Sequence, residues 1–355
     1  MKAVAAHERR LASLARSARA AIVVPLLFAS ALFAIKQPEI AGFAVFGTFA
    51  HQVLVSYDAA GPARYAQSAM LTVFGAIMVG VGALVSPNTW LAVTGAVALG
   101  FLSELPLVAH GRIAAIRRAL LLSFMLAVVV PAPVSFVFSY LLGWLMAGAI
   151  AQPALLLIWI SPQNSSSTDE GARCYDRSSN AVAAVHLNST ADAVRYGLAL
   201  GLAVLLTRLL KVEHAFWVVL GVLPVLNARS SSAARAFWQE QAGTLIGFLV
   251  SAAVVAIIGQ HIAWYWSILP FVVFGSVYVA SGSGLLPGQA AFTVFAVVLF
   301  CILSPKQKQA GILRLEDVAI GGAVSLSVGA LARRGNGASV DRLKNRAKLN
   351  WLSYY

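Results

Sequence analysis

Arg229 and Arg235 flank a run of hydroxyls, Ser230, Ser231 and Ser232, in the stretch FWVVLGVLPVLNARSSSAARAFWQEQAGTLIG, Phe216 to Gly247. These residue types at this spacing fit capture of an organic anion. The guanidiniums supply charge and forked donors, and the hydroxyls supply further hydrogen bonds. Two arginines on one loop also follow from the excess of basic residues on cytoplasmic loops, with no ligand needed. Pro224 and Asn227 lie just before them, and the pair favours a broken helix whose free backbone groups line a path. Trp217 opens the stretch, and Trp238, Trp264 and Trp266 follow. An aromatic face suits a ring-bearing ligand, although tryptophan also gathers at bilayer interfaces.

His51 and Gln52 are a second polar pair inside an apolar run. A histidine there can relay protons, because its charge changes near neutrality; at the membrane rim it is simply polar. The acids near apolar runs are Glu39, Glu104, Glu213, Glu240, Glu316 and Asp317. A charge in hydrocarbon costs roughly 3 kcal/mol or more, so a buried acid points to function. Glu39 and Glu213 fall in short loops as helix starts. Glu316 and Asp317 open a helix, where an acid also suits the positive end of the dipole. Glu240 and Glu104 are the leading proton-coupling candidates, with Asp317 behind them. Glu240 is expected to pair with Arg235, five residues earlier, and Glu104 to face His110 and Arg112 across a short loop.

The elements that hold these residues follow from composition. The chain has 355 residues, 59% hydrophobic and 11% charged. Soluble domains carry about 25% charge, so this chain cannot cover itself with a water-facing surface and reads as an all-α integral membrane protein. Its net charge of +13 would point to nucleic acid in a soluble protein. In a membrane protein it reflects basic cytoplasmic loops, and no nucleic-acid partner is expected. Cys174 and Cys301 form neither a disulfide framework nor a metal-ligand set, and no cofactor motif appears.

Apolar segments recur near 20–35, 40–55, 66–85, 90–104, 113–131, 134–160, 194–210, 214–227, 241–259, 262–280, 288–304 and 315–332, which predicts twelve transmembrane helices. The segments at 40–55 and 214–227 are short and the most polar. The chain divides into a basic N-terminal helix at 1–19, a first six-helix unit at 20–160, a linker at 161–193, a second six-helix unit at 194–332 and a basic tail at 333–355. With both termini in the cytoplasm, only Lys36, Arg208, Lys211, Lys306, Lys308 and Arg314 of the 26 basic residues lie outside. A shift of 174 positions superposes Glu39 on Glu213, Ala41 on Ala215, Gly47 on Gly221, Trp90 on Trp264, Pro131 on Pro305 and Gly148 on Gly322. The expectation is two parallel six-helix repeats side by side, with a polar seam between them. His51-Gln52 then corresponds to the Pro224–Asn227 region.

An aromatic start to a short span, a polar break and then Gly243-Thr244-x-x-Gly247 form an ordered motif. A second segment, Leu315-Glu316-Asp317-Val318-Ala319-Ile320-Gly321, opens the last span and is followed by Gly329 and Arg333-Arg334. Together they resemble the membrane domain of the fusaric acid resistance proteins, within the aromatic acid exporter superfamily. The resemblance implies efflux of aromatic or other weak organic acids across a bacterial inner membrane, driven by the proton gradient. In some relatives it involves a periplasmic adaptor protein. The chain departs from the family in carrying Gln241-Ala242 where a basic residue is expected, and in lacking a stretch that could form a large cytoplasmic domain. An anion channel of the same superfamily, a non-transporting membrane partner and a homo-oligomer remain open alternatives. The adjacent acid pairs Asp169-Glu170 and Glu316-Asp317 lack the spacing of a metal-diphosphate site, so the reading is not enzymatic.

Overall fold

The computed structural model of the chain describes residues 2–54, 62–105, 111–129, 131–156, 189–212, 215–227, 233–303 and 317–330. No strand occurs among them. Helix α1, Lys2–Ala29, continues as a π-helical segment, Ser30–Ile35. Helix α2, Pro38–Phe49, likewise runs into a π-helical end, Ala50–Leu54. There follow α3 (Pro62–Val85), α4 (Thr89–Ser103), α5 (Gly111–Val128) and α6 (Val137–Leu156). The later helices are α7 (Ser189–Leu209), α8 (Phe216–Asn227), α9 (Ala233–Ile258), α10 (Ile262–Ala280), α11 (Leu285–Leu303) and α12 (Asp317–Ala330).

Each predicted apolar segment falls on one of these helices. Among the described residues, six helical stretches are long and apolar enough to cross a bilayer: Arg10–Ile35, Tyr65–Val85, Val134–Pro153, Ala233–Ile258, Ile262–Ala280 and Leu285–Leu303. Local chemistry sets several boundaries. Pro38 opens α2 with Glu39 in its first turn, where a missing N–H does no harm and an acid meets the positive dipole end. The Asn88 side chain caps α4 by accepting from the Trp90 and Leu91 amides at 3.0 and 3.1 Å. Pro25 removes one α-helical donor a turn before the π segment of α1.

The outward faces are apolar, as a bilayer requires. Ile257 and Phe271 stand exposed on α9 and α10, and Trp90 and Trp264 lie exposed in the first turns of α4 and α10. The largest apolar core joins α4, α5, α7, α8 and α12. A second joins α1, α2, α10 and α11, and a third joins α2, α3, α5 and α6. Helices of the two sequence halves also pack on one another: α1 packs along α10, and α7 packs along α4. Small residues allow the second crossing, where a Cβ on Gly100 would sit 2.9 Å from the Gly197 Cα.

The centre where early and late helices meet is aromatic, not polar. Phe46 of α2 packs edge-on to Phe216, with centroids 4.8 Å apart, and Trp217 lies against Phe46, Phe292 and Phe300. The expected polar seam is replaced there by rings, and the buried polar side chains border them.

Candidate functional site

One buried polar cluster lies between α9 and α11. Gly243 and Gly247 face α11 so closely that a Cβ on either would strike the Leu286 or Ala290 carbonyl. The Gly-Thr-x-x-Gly motif thus works as a close helix crossing. The approach brings Gln289 onto α9, where its Nε2 donates to Glu240 Oε1 at 3.2 Å. Glu240 is 1% exposed and Thr244 fully buried. The Thr244 hydroxyl and the Gln241 Nε2 have no hydrogen-bond partner.

The second cluster joins α2, α3 and α6. Ser68 Oγ accepts from Gln152 Nε2 at 3.0 Å and lies 3.4 Å from His51 Nδ1. The His51 ring is tilted against Trp144 at 5.9 Å, and Trp144 Nε1 donates to the Thr72 carbonyl. His51 and Gln52 are almost wholly buried, and both sit in the π-helical end of α2. Such irregular turns recur at functional sites. The two clusters flank one aromatic patch: Phe49, two residues before His51, meets Phe292, three residues after Gln289, at 5.0 Å.

The remaining sequence candidates scatter. Trp217 is buried among rings, so the bilayer-interface reading does not apply to it. The helical trace of α8 continues through half-buried Pro224 to Asn227, so Pro224 does not break it. Arg229 and Ser230–Ser232 lie outside the described residues, as do Glu213, Glu316 and His110. Arg235 is exposed, and Glu240 is held by Gln289 instead. Five residues along a helix turn a side chain through about 140°, onto the far face. Glu104 also has a different partner from the expected one: Arg117 Nη1, at 3.1 Å, which donates to the Ser103 carbonyl as well. Asp317 is buried in the first turn of α12, next to Val318, whose backbone lies under Gly221 of α8.

Sequence reasoning missed Ser68, Gln152 and Gln289. A glutamine inside an apolar run is itself the signal, since its amide must find a partner away from water. It also missed Arg208, whose Nη2 donates to the Val128 carbonyl at 2.6 Å and so caps the end of α5.

Apolar helices with polar side chains buried between them define a multi-pass membrane protein of transporter-like build. Residues 202–328, from α7 to α12, match the family described as fusaric acid resistance protein-like. No curated protein and no solved structure matches the chain.

Proposed function

We propose that the protein is a proton-driven secondary transporter that exports aromatic or other weak organic acids across a bacterial inner membrane. The observation that carries this reading is Glu240, 1% exposed and held by Gln289 between two apolar helices. An acid so placed serves no surface role and is a natural proton-coupling group. In this reading Trp217 and its neighbouring rings offer flat surface beside the path. Arg229 and Arg235 draw anions to its cytoplasmic mouth, and both termini are cytoplasmic.

The reading takes the helices as twelve spans in two parallel repeats. Several pairs support it. Gly47 and Gly221, 174 residues apart, each lie against the sixth helix of their own half, at Trp144 and Val318. Gly148 and Gly322, at the same spacing, each face the third helix, at Thr72 and Phe237. The turns between first and second helices each carry a left-handed lysine, Lys36 with φ 61° and Lys211 with φ 51°.

Proteoliposomes test the proposal. An imposed pH gradient should drive labelled benzoate uphill, above the background of protein-free liposomes. Glu240→Gln should abolish the driven component while exchange of labelled for unlabelled benzoate continues. Downhill movement alone, in wild type as in the variant, would instead favour an anion channel.

A further inference from the structure

We infer that the cluster at the π-helical end of α2 is a head-group site for the un-ionised form of a carboxylic acid. The acid class rests on the transport reading above; the form that binds is argued from this cluster alone. A serine hydroxyl has one proton. Gln152 Nε2 donates to Ser68 Oγ at 3.0 Å, so the Ser68 proton is free for His51 Nδ1, 3.4 Å away. When Nδ1 takes that proton, the ring is the neutral tautomer with its own proton on Nε2.

His51 Nε2 is buried without a partner. So are both amide atoms of Gln52, the next residue, and Oε1 of Gln67, the neighbour of Ser68 on α3. His51 is fully buried and Gln52 is 2% exposed. Buried donors and acceptors left bare around the Ser68–His51 contact are costly and call for an occupant. The set is mixed. His51 Nε2–H and the Gln52 amide nitrogen donate, whereas the Gln52 and Gln67 carbonyl oxygens accept. A carboxylate only accepts, so it would leave those two oxygens facing its own lone pairs. An un-ionised carboxyl group both donates and accepts, and can meet either kind of atom. No described lysine or arginine is bonded to these side chains to favour the anion. Trp144 beside His51, and Phe49 against Phe292 and Phe295, supply ring surface next to the head group.

The test uses the full-length protein in lipid nanodiscs with three probes at neutral pH: benzamide, benzoate and methyl benzoate. Benzamide both donates and accepts and cannot ionise, benzoate only accepts and is charged, and methyl benzoate only accepts and is neutral. Nitrogen NMR of labelled histidines, with His51 assigned by its loss in His51→Gln, reads tautomer and binding together. The expected result is a neutral Nε2–H ring whose signal moves with benzamide. Benzoate and methyl benzoate should bind at least about tenfold more weakly, and Gln52→Leu should weaken benzamide by about tenfold with the tautomer unchanged. Benzoate binding as tightly as benzamide, a proton on Nδ1, or no response to any probe would overturn the site. Uphill benzoate transport, measured separately, keeps the two ideas apart. Transport without benzamide binding sinks only this site, and binding without transport sinks only the export reading.

Discussion

The two polar clusters border the same aromatic patch but are built for different work. Between α9 and α11 an acid accepts from the Gln289 amide across a glycine crossing. Around the end of α2 a hydroxyl, an amide and an imidazole are tied across three helices, with no acid among them. The sequence landmarks 174 apart do not include these groups: Val225 stands where His51 would recur, and Ala66 where Glu240 would. If the two halves share one scaffold, as proposed, they carry unlike chemistry on it. One half holds a group suited to exchanging protons, and the other a set suited to reading a head group.

The hardest way to break the comparison is to force one crossing apart at a time. A Cβ on Gly247 would strike the Ala290 carbonyl and fall 2.7 Å from Thr293 Cβ. Gly247→Val should cost roughly 1–3 kcal/mol through forced backbone shifts. It should separate Gln289 from Glu240 and abolish gradient-driven transport. A Cβ on Gly75 would instead enter the Trp144 indole, so Gly75→Val should damage the His51 cluster by a similar amount. Gly275, on α10, has nothing within 4 Å of such a Cβ, and Gly275→Ala should be neutral or slightly stabilising. Thermal unfolding in detergent measures all three. Equal effects at Gly247 and Gly275 would mean that α9 does not depend on its close approach to α11.

Removing single donors gives smaller effects that sharpen the contrast. Gln289→Leu takes a hydrogen bond from a buried acid and should lower stability by about 2 kcal/mol. Gln152→Leu takes a neutral bond from Ser68 and should cost about 1 kcal/mol. The same unfolding measurement ranks them. A larger loss from Gln152→Leu would show that the acid relies on Gln289 less than the neutral cluster relies on its amide.

The helices were readable from sequence because apolar runs bounded by Pro, Gly and Asn leave few alternatives. Glu240 was readable as well, since an acid five residues past an arginine and one turn before Gly243 stands at the edge of an apolar run. Its partner was not. Gln289 lies 49 residues away, and only the packing of α9 on α11 brings it near. Helical angle alone, however, rules out Arg235. The aromatic centre was hidden for a related reason. Phe46, Phe216, Phe292 and Phe300 each look like lipid-facing residues within their own helices, and only the crossing of early and late helices turns them inward. Trp217 misled in the same way, because α8 is a short helix surrounded by others rather than one standing at the rim. The exchange of α1 and α7 between cores left no local trace, since it depends on where whole helices lie.

Glu104 sets the lower end of the scale. It resembles Glu240 in sequence, as an acid at the edge of an apolar run. Yet its carboxylate meets Arg117, and both side chains are partly exposed, at 25% and 19%. Exposed pairs of this kind contribute about 0–1 kcal/mol, and Arg117 keeps its bond to the Ser103 carbonyl when the acid is neutralised. Glu104→Gln should therefore leave stability nearly unchanged and preserve driven benzoate transport within about twofold. Combined with Glu240→Gln, it should add no further loss. If Glu104→Gln alone removed driven transport as completely as Glu240→Gln, the proton path would run through both acids, and burial would no longer tell the coupling group from the ion pair.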